Sequence, residues 1–126
     1  MKTQRQIILV ASFIGGLAVA LGAFGAHALK TILTQNNRVD TYELAVRYHF
    51  YHALTLLAVG ILMDKFSQRF LSLSAWMFLL GIILFSGSLY IMAIFNTTQV
   101  VLITPIGGVF LLTGWSLLFY GALKRN

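Results

Sequence analysis

Tyr42-Glu43-Leu44-Ala45-Val46-Arg47-Tyr48-His49-Phe50-Tyr51-His52-Ala53-Leu54-Thr55 runs directly into an unbroken apolar tract from Leu56 to Met63. The first half of this segment holds Glu43, Arg47, Tyr48, His49, Tyr51, His52 and Thr55. The second half has nothing that needs water. Such a run is long enough to span a bilayer, which takes about 20 residues. Polar side chains at membrane depth are costly, so they face protein or a water-filled cavity and mark a candidate site.

The rest of the chain supplies three more such segments. Ile7 to Leu29 carries no Asp, Glu, Lys or Arg, and neither does Phe70 to Phe95 or Val100 to Leu123. The expected spans are 7–29, 42–63, 70–95 and 100–123, forming one transmembrane domain over residues 1–126. Of the 126 residues, 59% are hydrophobic and only 10% charged, against about 25% charged in soluble domains. A soluble fold of this size could not bury that much apolar surface. Long unbroken apolar runs point to helices, because barrel strands alternate. The expected fold class is therefore all-α, an integral membrane four-helix bundle with antiparallel spans. Ala26-His27-Ala28 has the small-x-small form of a cleavage site. The preceding apolar core exceeds the usual 7–15 residues of a signal peptide, so an uncleaved first span is expected.

Net charge is +6, but the basic residues sit at segment ends rather than on one phosphate-binding face, which argues against nucleic acid. Lys2, Arg5, Lys65, Arg69, Lys124 and Arg125 share one side of a four-span topology, and Lys30 and Arg38 the other. The positive-inside rule then puts both termini in the cytoplasm. There is no cysteine, which excludes disulfides, thiolate-bound zinc and iron–sulfur clusters.

Small residues predict the packing, since helices in lipid approach where side chains are short. Ala11, Gly15, Ala18, Gly22 and Gly25 form a heptad-like seam, and Gly16, Ala20 and Ala23 form a second strip leading to His27. A helix small on two faces is expected at the bundle centre. Seven-residue series recur as Ala53 and Gly60, as Ser74, Gly81 and Ser88, and as Gly107, Gly114 and Gly121.

The candidate site residues are His27, Arg47, Tyr48, His49, His52, Ser86, Ser88, Tyr90 and Thr104. On a helical wheel Tyr48, His49, His52 and Thr55 share a face, and Glu43 and Arg47 lie opposite, spaced to pair. Ser86, Ser88 and Tyr90 fall in the same half of the third span as His27 does in the first, with Thr104 and Pro105 opening the fourth. Pro105 either occupies the first helical turn or kinks the helix. The other half of the membrane looks almost purely Leu, Ile, Val, Phe and Gly. This asymmetry predicts a polar pocket open to the outside, or a buried hydrogen-bond network there. Imidazole suits transition metals or haem, so a metal held by His27 and His52 is the alternative. Neither Gly-x-Ser-x-Gly nor His-Glu-x-x-His is present.

Gly22-Ala23-Phe24-Gly25-Ala26-His27-Ala28-Leu29, Tyr48 with His52-Ala53-Leu54, Phe85-Ser86-Gly87-Ser88-Leu89-Tyr90, Thr104-Pro105-Ile106-Gly107-Gly108 and Gly114-Trp115 together resemble the small membrane-protein family known as domain of unknown function 423. Its relatives include the eukaryotic transmembrane protein 256. The resemblance runs along essentially the whole chain. It implies a four-span bacterial inner-membrane protein and brings no catalytic residues with it. Relatives tend to have glutamine where this chain has His49, which leaves His27 and His52 as the pair expected to converge. The resulting expectation is a non-enzymatic, multi-pass inner-membrane protein. It binds a ligand or lipid in an outward pocket, or serves a larger membrane complex or homo-oligomer as an accessory subunit. The rival is a haem- or metal-dependent redox protein.

Overall fold

The computed structural model describes residues 2–125. Five helices follow one another: α1 Lys2–Ala26, α2 Lys30–Gln35, α3 Val39–Leu62, α4 Gln68–Phe95 and α5 Ile103–Ala122. Four of them, all but α2, are long and apolar enough to cross a membrane. The described residues form no strand beyond a single bridge between Phe66 and Arg125.

The main interfaces join α1 to α3, α3 to α4, and α4 to α5, so the spans pack in chain order. The central helices are α3 and α4. Their most apolar stretches are 39% and 44% buried, against 11% for α1 and 17% for α5. The expectation that α1 sits at the centre is thus overturned. One of its small strips does its work: Ala11 and Ala18 are buried, Gly22 meets Val46, and Gly25 lies under the Tyr42 ring. The other strip, Gly16, Ala20 and Ala23, faces outward, and a methyl group on Gly16 would meet nothing within 4 Å. Small residues allow close approach, but they supply no partner.

The α4–α5 seam follows the seven-residue spacing closely. Leu71 and Phe78 press on Gly121 and Gly114, and the backbone at Phe85 lies against Gly107, where a Cβ would fall 2.3 Å from the Phe85 nitrogen. Ser74 Oγ donates to the Gly114 carbonyl at 2.8 Å. Pro105 occupies the first turn of α5, where its missing N–H would have had no helical partner anyway.

The polar connection between the first two spans, Lys30–Thr41, contains α2. Leu33 of α2 is buried beside Tyr42 and Ala93. Asn36 Nδ2 donates to the carbonyls of Ala93 and Ile94 at 3.2 and 3.4 Å, supplying a donor to carbonyls that the end of α4 leaves without a helical partner. Arg38 Nε donates to Asn96 Oδ1 at 3.4 Å. Asn37 and Asn96 both take the left-handed conformation that ends a helix, with φ of 55° and 50°. Six residues carry too little periodicity for α2 to announce itself in the sequence.

Candidate functional site

Because α3 is central, its polar residues reach three neighbouring helices. His49 is buried and bridges two of them. Its Nε2 lies 2.9 Å from the Ile14 carbonyl of α1, and its Nδ1 lies 2.9 Å from the Tyr90 hydroxyl of α4. A carbonyl can only accept, so Nε2 carries the proton and Nδ1 accepts from Tyr90. Tyr90 in turn packs edge-on against Tyr42, with centroids 5.3 Å apart. The Tyr42 hydroxyl donates to the Leu21 carbonyl.

His52 takes the opposite tautomer. Its Nδ1 donates to the Tyr48 carbonyl at 2.8 Å, and its Nε2 accepts from the Trp115 indole N–H at 3.1 Å. The His52 ring stacks on Tyr48 (5.9 Å, 26°) and tilts against Phe78. Both imidazoles therefore use one donor and one acceptor, as neutral rings do. Protonating either would remove an acceptor and break the bond to Tyr90 or Trp115.

The other candidates divide in the same way. Ser86 Oγ donates to the Ala45 carbonyl at 2.8 Å. Ser88 Oγ reaches the Phe85 carbonyl at 2.9 Å and Thr104 Oγ1 at 2.6 Å, tying α4 to α5. Among the described residues no buried side-chain nitrogen or oxygen lacks a partner. Ser86, Ser88, Tyr90, Thr104 and His49 thus make separate hydrogen bonds between helices. Polarity is not confined to one half of the bundle. Gln4 Nε2 donates to the Gly60 carbonyl at 2.9 Å near the opposite end, and Ser74 adds a second bond in that half.

His27 stands apart. It is exposed, in the turn after α1. Gly15 faces Ala53, so His52 lies near the level of Gly15. His27 is a dozen residues further along the chain, roughly 18 Å at 1.5 Å per residue. The two histidines expected to converge do not, and a metal or haem shared between them has no geometric basis. No group of three or more His, Asp or Glu residues among those described could hold a metal. Arg47 is exposed and lines a separate cleft with Glu43, Gly22 and Tyr42, between α1 and α3.

A groove of about 680 Å³ lies open between α3 and α5, floored by Phe85 of α4, and a smaller one of about 400 Å³ lies between α1 and α4 beside Trp76. Tyr48, Tyr51, His52 and Thr55 form one wall of the larger groove, and Pro105, Gly108, Val109, Leu112 and Trp115 the other. No charged side chain lines it. Trp115 and Tyr51 were not among the expected site residues. An indole N–H at bilayer depth needs an acceptor, and that need was the available signal for Trp115.

The family described as "Protein of unknown function (DUF423)" matches residues 21–108. The chain belongs to this family. Among its relatives are a UPF0382 membrane protein of Staphylococcus saprophyticus, 39% identical over 121 residues with 96% of this chain and 99% of the relative covered. The UPF0382 membrane protein YwdK of Bacillus subtilis is 38% identical, covering 96% and 98%. The UPF0382 inner membrane protein YgdD of Escherichia coli is 34% identical, covering 97% and 92%. No solved structure matches the chain. Membership and the four apolar spans make this DUF423 member a multi-pass protein of the bacterial inner membrane.

Proposed function

We propose that this DUF423 protein is a non-catalytic membrane protein that takes a lipid-borne molecule laterally into the α3–α5 groove. The observation that carries this is the contrast within the site. His49, Ser86, Ser88, Tyr90 and Thr104 spend their polar groups on interhelix bonds, while Tyr48, Tyr51, His52 and Trp115 border an open, charge-free, aromatic groove on the lipid-facing side. Sites for small molecules are concave and mostly apolar, with a few polar groups fixing orientation. Trp115–His52 ties α5 to α3 and Ser88–Thr104 ties it to α4, and together they fix α5 at the spacing that keeps the groove open.

Gly108→Phe tests the reading. A Cβ at Gly108 makes only ordinary contact with the Phe85 ring, at 3.8 Å, so the added ring grows into the groove. Protein extracted in mild detergent is expected to retain a hydrophobic small molecule by native mass spectrometry, and Gly108→Phe to lose it with an unchanged helical spectrum. Equal retention by both proteins, or no retained species in either, would remove the proposal.

The same reading puts both termini in the cytoplasm. The support is the basic cluster of Lys65, Arg69, Lys124 and Arg125 at one end of the bundle, against Lys30 and Arg38 at the other. The groove's tyrosine end then opens toward the periplasmic leaflet. Service as a subunit of a larger complex is compatible with the exposed faces of α1 and α5, and a co-purifying protein would support it.

A further inference from the structure

The geometry points to the chemical class of the groove's occupant: a neutral, planar ring bearing carbonyl acceptors on a hydrocarbon tail, the class of membrane quinones. This rests on the groove reading above and adds three observations to it. First, the lining contains no Lys, Arg, Asp or Glu, and the nearby Arg47 faces a different cleft. A phosphate or ammonium headgroup would find no counter-charge, so the polar end of the occupant is uncharged.

Second, the wall is made of ring faces and edges. Tyr48 lies 5.0 Å from Phe85, 5.9 Å from His52 and 6.1 Å from Tyr51, and Trp115 stands edge-on to His52 at 6.0 Å. Stacked and edge-on aromatic packing favours a flat, rigid partner over a flexible acyl chain.

Third, the hydroxyls of Tyr48 and Tyr51 make no hydrogen bond among the described residues, whereas the His52 and Trp115 nitrogens are already paired. The free polar groups of the groove are thus two phenols. A phenol in an apolar setting gains most by donating to a strong acceptor such as a carbonyl. The groove continues from the tyrosines past Gly108 to Leu111 and Trp115, giving an apolar path for a tail. Only binding is inferred, with no electron transfer.

Trp76 lines the opposite side of the molecule, between α1 and α4. In a Trp76→Phe background, Trp115 is the sole tryptophan and reports on the groove. The protein in nanodiscs is titrated with a short-tailed benzoquinone and, separately, with brominated phospholipid, which quenches indole on contact. Saturable quinone quenching is expected, abolished by Gly108→Phe and weakened roughly 2- to 10-fold by Tyr48→Phe or Tyr51→Phe, the range for one lost hydrogen bond. Bromolipid quenching that Gly108→Phe reduces, with quinone quenching merely linear, would overturn the ring assignment and leave the groove reading standing. Quinone affinity unchanged in both phenylalanine variants would reduce the tyrosines to interfacial anchors and also overturn the assignment. If Gly108→Phe alters neither signal, both readings fall.

Discussion

His49 shows how much a single side chain can do when its helix is central. It satisfies a carbonyl on α1 and a hydroxyl on α4 at once. His49→Leu removes both bonds and leaves the Tyr90 hydroxyl unpaired. Interhelix bonds in membranes contribute about 0.6–2 kcal/mol each, so a loss of about 1–3 kcal/mol is expected in detergent unfolding. Glutamine also offers one donor and one acceptor, and His49→Gln should retain most of the stability. Equal destabilisation by both variants would show that ring packing, not hydrogen bonding, sets the role of His49. His27 offers the contrast. It is exposed and distant from His52, so His27→Leu should leave unfolding unchanged within about 0.5 kcal/mol. The sequence could show that His49 and His52 were three apart on one helix. It could not show that one ring turns toward α1 and the other toward α5, because that depends on where the neighbours stand.

At the scale of the element, the helices were legible and their partners less so. The apolar runs marked all four spans, although α3 starts at Val39 rather than Tyr42 and α1 ends at Ala26 rather than Leu29. The series Gly107, Gly114 and Gly121 correctly marked a packing face. At Gly107 the opposing atoms are backbone and cannot turn away. Gly107→Ala should therefore cost about 1–3 kcal/mol. Gly16→Ala, on the lipid-facing strip, should be neutral or stabilising by up to about 1 kcal/mol, since alanine favours the helix. Similar losses at both positions in thermal unfolding would refute the placement of α1 at the edge. The small strip misled the expectation about α1 because short side chains permit packing on any face without requiring it. The helix α2 escaped notice because only Leu33 carries its burial. Its docking depends on Asn36, and Asn36→Ala should speed amide exchange in residues 30–38 while leaving α3 and α4 protected.

For the whole molecule, the serial packing of α1, α3, α4 and α5 predicts a hierarchy of local stability. Backbone exchange should be slowest in α3 and α4 and faster in α1, whose apolar stretch is least buried. Slowest exchange in α1 would contradict the serial arrangement. A reporter fused after Asn126 should read as cytoplasmic; a periplasmic readout would invert the groove's leaflet. The sequence by itself determined the membrane class, the four spans and the pool of polar residues. Those follow from hydropathy and length, which are properties of each segment alone. Tertiary structure decided which polar groups pair, that His27 is left out, that α1 lies at the edge, and that an aromatic groove stays open between α3 and α5. Each of these depends on which helix faces meet, and in lipid, where apolar contact between helices gains little, that choice rests on close backbone approach and on a few hydrogen bonds whose partners lie far apart in the chain.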